Sequence, residues 1–61
     1  MRLKEVRERK LMTQAELARA AKITIASISR IETGKAEPRF GTIKRLAAGL
    51  GVTTDDLVIR E

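Results

Sequence analysis

Two helix starts lie close together early in the chain, and they dictate most of what it can become. Thr13-Gln14-Ala15-Glu16 has the form of a capping box, in which the Thr13 hydroxyl accepts from the third amide and Glu16 reaches back to the Thr13 amide. Thr24 is the next cap candidate. A helix from Gln14 to Ala21, with Leu17, Ala18 and Ala21 on its inner face, leaves only Lys22 and Ile23 before that second start. The chain must turn sharply there, and the two helices must cross at close quarters. The second helix runs from Ile25 to Thr33 with Ile28 and Ile31 inward. Gly34 is its natural stop, because glycine takes positive φ without cost.

The remaining pattern is also helical, since no stretch alternates with period two for long enough to make a strand. A first helix from Arg2 to Lys10 carries a narrow stripe of Leu3 and Val6, and Leu11-Met12 leads from it into the capping box. Lys35 to Arg39 form a polar loop holding the only proline, Pro38. A fourth helix begins near Phe40, and Ile43, Leu46, Ala47 and Leu50 give it the clearest amphipathic stripe in the chain. Gly49 within it costs about 1 kcal/mol relative to alanine. Gly51 ends it, with Val52 packing back over that end. Thr53-Thr54-Asp55-Asp56 starts a last short helix, its acids against the positive end, and Leu57 closes the core. Phe40, the only aromatic residue, is expected in the core. The expected fold is all-α, a compact five-helix domain over residues 1–61 without repeats or linkers.

Composition narrows the chemistry. At 61 residues there is room for one core, and a chain this short buries only about 60% of its unfolded surface. The apolar share of 43% against 34% charged residues is globular rather than disordered. There is no Cys and no His, so disulfides, thiolate metal sites and the commonest general base are all missing. The carboxylates Glu16, Glu32, Asp55 and Asp56 are accounted for by caps or pairs. No catalysis, metal, cofactor or small-molecule ligand is therefore expected. Lys and Arg outnumber Asp and Glu by 13 to 8, a net charge of +5. That excess favours a polyanionic partner through its field and through counterion release, a purely solubilising surface being the other reading. No segment approaches the roughly 20 apolar residues of a membrane span. Met1-Arg2-Leu3-Lys4-Glu5 has no apolar run behind it, so a secretory signal is not expected and the expected compartment is the cytoplasm.

Two capped helices joined by so short a turn make a helix-turn-helix unit. Ala18 and Ala21 supply the small residues its crossing needs. Ile25, Ala26, Ser27, Ser29 and Arg30 give the second helix an exposed face of modest side chains, suited to a major groove about 12 Å wide. Arg30 alone has a rigid two-donor fork, which matches guanine O6 and N7. Ile25 reads a thymine methyl if it faces the groove, and is ragged core if it does not.

The runs Leu11-Met12-Thr13-Gln14-Ala15-Glu16-Leu17-Ala18, Ile28-Ser29-Arg30-Ile31-Glu32-Thr33-Gly34-Lys35, Pro38, Ile43-Lys44-Arg45-Leu46-Ala47 and Leu50-Gly51-Val52 together make the chain resemble the lambda-repressor-like DNA-binding family, from about Val6 to Leu57. The resemblance implies a domain that docks its third helix in the major groove, usually as a symmetric dimer. It implies base contacts from Ile25 and Ala26, joined by Ser27, Ser29 and Arg30. It implies phosphate contacts from Gln14, Lys35 and Arg39, with the Thr24 cap beside them. It also implies an ion pair between Arg7 and Glu32. Solvated loop charges at Lys35 and Arg39, a phosphate role for Arg30, and separately solvated Arg7 and Glu32 are the alternatives. Two positions depart from the family pattern: Lys22 stands where glycine is usual in the turn, and Arg39 where Ser or Thr usually caps the fourth helix. The expected function is sequence-specific double-stranded DNA binding as a small transcription regulator, a repressor. The alternative is an antitoxin-type module that binds a toxin and regulates its own operon. The apolar run Leu57-Val58-Ile59 is expected to supply Leu57 to the core and Val58 and Ile59 to a homodimer contact.

Overall fold

Three of the described helices begin where a hydroxyl meets free amides. Thr13 Oγ1 accepts from Glu16 N at 3.0 Å, and Glu16 Oε1 accepts from Thr13 N at 2.8 Å, which completes the capping box. Thr24 Oγ1 accepts from Ser27 N, and Thr53 repeats the reciprocal box with Asp56. In this computed structural model residues 1–58 are described, and among them are five α-helices and no strand. They are α1 (Leu3–Arg9), α2 (Gln14–Ala21), α3 (Ile25–Glu32), α4 (Phe40–Leu50) and α5 (Thr54–Leu57). The first is shorter than its sequence pattern, because Arg2 and Lys10 are its flanking caps. Thr33 likewise caps α3 rather than belonging to it.

Four of the five helices end in a left-handed residue at or just after the C-cap, its N–H bonding back into the last turn and the next N–H reaching five back. Leu11 N donates to Glu8 O and Met12 N to Arg7 O. Gly34 N donates to Ile31 O and Lys35 N to Arg30 O; Gly51 N donates to Ala48 O and Val52 N to Ala47 O. At the end of α2, Ile23 N reaches Ala18 O. This is the motif that satisfies the last carbonyls of a helix. Two of the four left-handed residues are glycines, at φ 77° and 71°; the others are Leu11 at φ 57° and Lys22 at φ 58°. Met12, Ile23 and Val52, each just past such a turn, pack against the core.

The core draws on every helix: Leu3 and Val6 from α1, Leu17, Ala18 and Ala21 from α2, Ile28 from α3, Leu46, Ala47 and Leu50 from α4, and Leu57 from α5. α2 and α4 cross with their backbones close together at Gly49. A Cβ on Gly49 would stand 3.2 Å from Ala21 N and 3.3 Å from the Ala20 carbonyl carbon. The helix-weakening glycine is thus a packing requirement. The two ends of the fold meet: Arg2 N donates to Leu57 O at 2.8 Å, and Arg2 Nη2 to Asp56 O at 2.9 Å.

Phe40 is not in the core. It is 67% exposed, with Lys44 Nζ 5.7 Å from the centre of its ring. Helical side chains lean toward the N-terminus, so the first residue of α4 covers the space before the helix rather than the interior. The lysine on the next turn gives the ring a cation to sit beneath.

Candidate nucleic-acid interface

At about 100° per residue, burying Ile28 and half-burying Ile31 and Glu32 turns the opposite side of α3 outward. That side carries Ala26 and Arg30 at its centre, with Ser27 along one edge and Ile25 and Ser29 along the other. Ile25, Ala26, Ser27 and Arg30 are exposed and Ser29 is half-buried. Ile25, at 49% exposure, lies outside the core. The Thr24 cap also orients a neighbour. Its hydroxyl donates to Ser27 Oγ at 2.9 Å while accepting from Ser27 N at 3.1 Å. The Ser27 oxygen is therefore engaged as an acceptor, and its own proton is left to donate outward.

The two flanks of this face differ. On the Ser27 and Arg30 side a shallow cleft continues to Arg39 and Thr42, across Ala36 and Pro38. Arg39 precedes α4 in extended conformation and gives it no side-chain cap, so its guanidinium is not consumed by the helix start. Lys35, exposed, follows the left-handed Gly34 at the end of α3. On the other side Ile25, Ser29 and Glu32 form one row along α3, and Gln14, first residue of α2, reaches Glu32 from across the turn.

Beneath the face lies an ion pair. Arg7 Nε meets Glu32 Oε2 at 2.7 Å and Nη2 meets Oε1 at 3.2 Å, a two-pronged contact between α1 and α3. Arg7 Nη1 also donates to Met12 O at 2.8 Å. The side chains are only 11% and 3% exposed, so the pair is largely desolvated rather than a surface contact. Burial pushes the Glu32 carboxyl up, but hydrogen bonds from Arg7 and Gln14, with the Arg7 charge, hold it below its ordinary value. The Glu32 hydrogen bond raises Arg7 further against the opposing effect of burial, and it stays charged. Hydrogen bonds from the Thr13 backbone and hydroxyl lower Glu16, and those from Thr53 lower Asp56.

The sequence anticipated the Arg7–Glu32 pair but not the bond that Gln14 adds to it. That bond depends on how α2 and α3 cross, and no local pattern encodes it. Among the described residues no group of His, Cys, Asp or Glu is placed to hold a metal ion. None of the described helices is long and apolar enough to cross a membrane. What the face offers is donors, methyl groups and positive charge on a convex helix.

Comparison with known proteins agrees with this geometry. The chain is 33% identical over 57 residues to the HTH-type transcriptional regulator DdrOP3 of Deinococcus deserti; the match covers 93% of this chain and 44% of that protein. No solved structure matches the chain. The helix-turn-helix family description matches residues 3–57, from the first residue of α1 to the last of α5. With all five helices inside that match, the chain belongs to the lambda-repressor-like helix-turn-helix family.

Proposed function

We propose that this chain binds double-stranded DNA at specific sequences and works in the cytoplasm as a transcription regulator, repressing by occlusion and catalysing nothing. The observation that carries the reading is the outward face of α3, with Gln14 on one flank, Arg39 beyond the other and Lys35 exposed in the turn that ends the helix. In this reading α3 enters the major groove. Ile25, Ala26, Ser27, Ser29 and Arg30 meet base edges, while Gln14, Thr24, Lys35 and Arg39 meet phosphates. The Deinococcus regulator supports it by its name, and the net charge of +5 supports a polyanionic partner. Nothing in the structure favours toxin capture over DNA.

Two copies would bind a palindrome with half-sites about 34–36 Å apart. An apolar groove beside the α3–α4 loop, lined by Ile31, Pro38, Ile43, Met1 and Val58, supports a two-fold contact there, and Met1 and Val58 are exposed at its rim. Ile59, expected to join that contact, lies outside the described residues.

The test is selection of bound sites from random duplexes, then titration of the selected site across salt. A palindromic consensus is expected, with affinity falling steeply as salt rises, by a log–log slope of about −0.9 for each phosphate neutralised. Failure to enrich any duplex, or binding indifferent to salt, overturns the proposal.

A further inference from the structure

Glu32 serves two partners at once. Both its oxygens hold the Arg7 fork, and Oε1 also accepts from Gln14 Nε2 at 3.0 Å. We propose that Glu32 is a positioning residue for DNA binding: it fixes the Gln14 side-chain amide with its nitrogen against the carboxylate, so that the second N–H of that nitrogen is presented to a DNA phosphate. The proposal rests on the DNA reading above.

A glutamine amide has a donating end and an accepting end, and its terminal torsion is broad. A phosphate oxygen only accepts. A free Gln14 would therefore spend part of its time with its carbonyl oxygen toward the phosphate, where the two repel. An ionised carboxylate also only accepts, so only the NH2 end can face Glu32. One of its two protons is used there, and the other diverges from it.

Electrostatics makes Glu32 suitable for this. A lone carboxylate behind the interface would repel the DNA backbone. Arg7 cancels that charge at 2.7 Å, in a pair from which solvent is largely excluded. The carboxylate keeps its accepting strength and loses its net field. A phosphate, the amide, the carboxylate and the guanidinium then form a chain in which each hydrogen bond polarises the next. Gln14 is half-buried, so its stem is already held and only the amide end needs fixing.

The test is a double-mutant cycle read as affinity for the selected duplex. One arm is Gln14→Met. The other replaces the whole pair, Arg7→Met with Glu32→Leu, which leaves net charge unchanged and removes a buried ion pair without leaving either charge unpaired, while releasing Met12 O and the Gln14 amide. Gln14→Met is expected to weaken binding about 10-fold or more, as for a lost hydrogen bond to a charged group. The pair replacement is expected to weaken it about 3- to 10-fold with its salt slope unchanged, because a neutral amide releases no counterion, the loss reflecting a side chain that must now be ordered on binding. Within the pair replacement, Gln14→Met should cost clearly less than it does alone. Equal costs in both backgrounds, with DNA bound normally otherwise, overturn the positioning role and leave the DNA reading standing. A chain that binds no duplex overturns both.

Nuclear magnetic resonance of the unaltered chain gives a readout independent of DNA and of any variant's folding. One of the two Gln14 side-chain amide protons should be protected from exchange and should shift as Glu32 titrates in acid. Two protons that both exchange without protection and ignore that titration would also overturn the proposal.

Discussion

Arg30 and Lys35 stand at the same end of α3 and carry the same charge, yet they should behave differently. Arg30 is exposed at the centre of the outward face, and its fork fits a guanine edge; Lys35 follows the turn and offers a point charge. Arg30→Ala should cost about 1–3 kcal/mol and relax preference at one base pair. Lys35→Ala should weaken binding to all sequences alike and lower the salt slope by about one. Competition binding against single-base variants of the site separates the two, and a uniform loss for Arg30→Ala would make it a phosphate ligand. Legible in the sequence were the features set by local spacing: the Thr13 box, the Thr24 cap and the inward Ile28, whereas at Thr53 the sequence was read only as acids at a helix start and the reciprocal box with Asp56 came from the structure. The ion pair came through family resemblance alone. Phe40 was misread because a hydrophobic residue at the edge of a stripe says nothing about whether the body extends that far.

Between residues and the whole lies the way helices end. Leu11 and Lys22 hold left-handed backbone angles that cost a side-chain-bearing residue about 1–2 kcal/mol. Leu11 is 90% exposed, so its side chain contributes little in return. Leu11→Gly and Lys22→Gly should each stabilise the fold, by up to about 1 kcal/mol after the greater freedom of glycine in the unfolded chain is counted. Urea denaturation reads this directly, and a lower midpoint for both would show that the turns are not strained. Gly49→Ala should move the other way. The gain in helix propensity is about 1 kcal/mol, but the new methyl meets the α2 backbone at 3.2 Å, where nothing flexible can yield. A raised melting temperature for Gly49→Ala would mean that α4 shifts off α2 cheaply. The sequence showed all five helices because caps and stops are local signals, and the left-handed Lys22 was signalled by the family resemblance, in which glycine is usual at that position. Leu11 was missed, since neither glycine nor asparagine marks its position.

The molecule as a whole should be sensitive to acid. Glu16, Glu32 and Asp56 all have carboxyls held below their ordinary values in the folded state. The unfolded chain therefore binds more protons than the folded one, and stability rises with pH through that range. The contribution is complete above about pH 5 and is lost as pH falls below 4.5 toward the depressed native values. Thermal melts should show little change from pH 7 to 5 and a marked drop by pH 3, and a melting temperature constant down to pH 3 would contradict it. Shape bears on assembly too. The backbone measures 30 × 23 × 19 Å, so two copies on half-sites about 34–36 Å apart meet only near their facing ends. The bonds from Arg2 to Asp56 and Leu57 carry a different consequence, for synthesis. A ribosome delivers Arg2 well before Leu57. The buried Leu3 packs in a core that Leu57 completes, so the domain stays open until α5 has emerged, and its closure waits on that last short helix rather than on the growth of any earlier one.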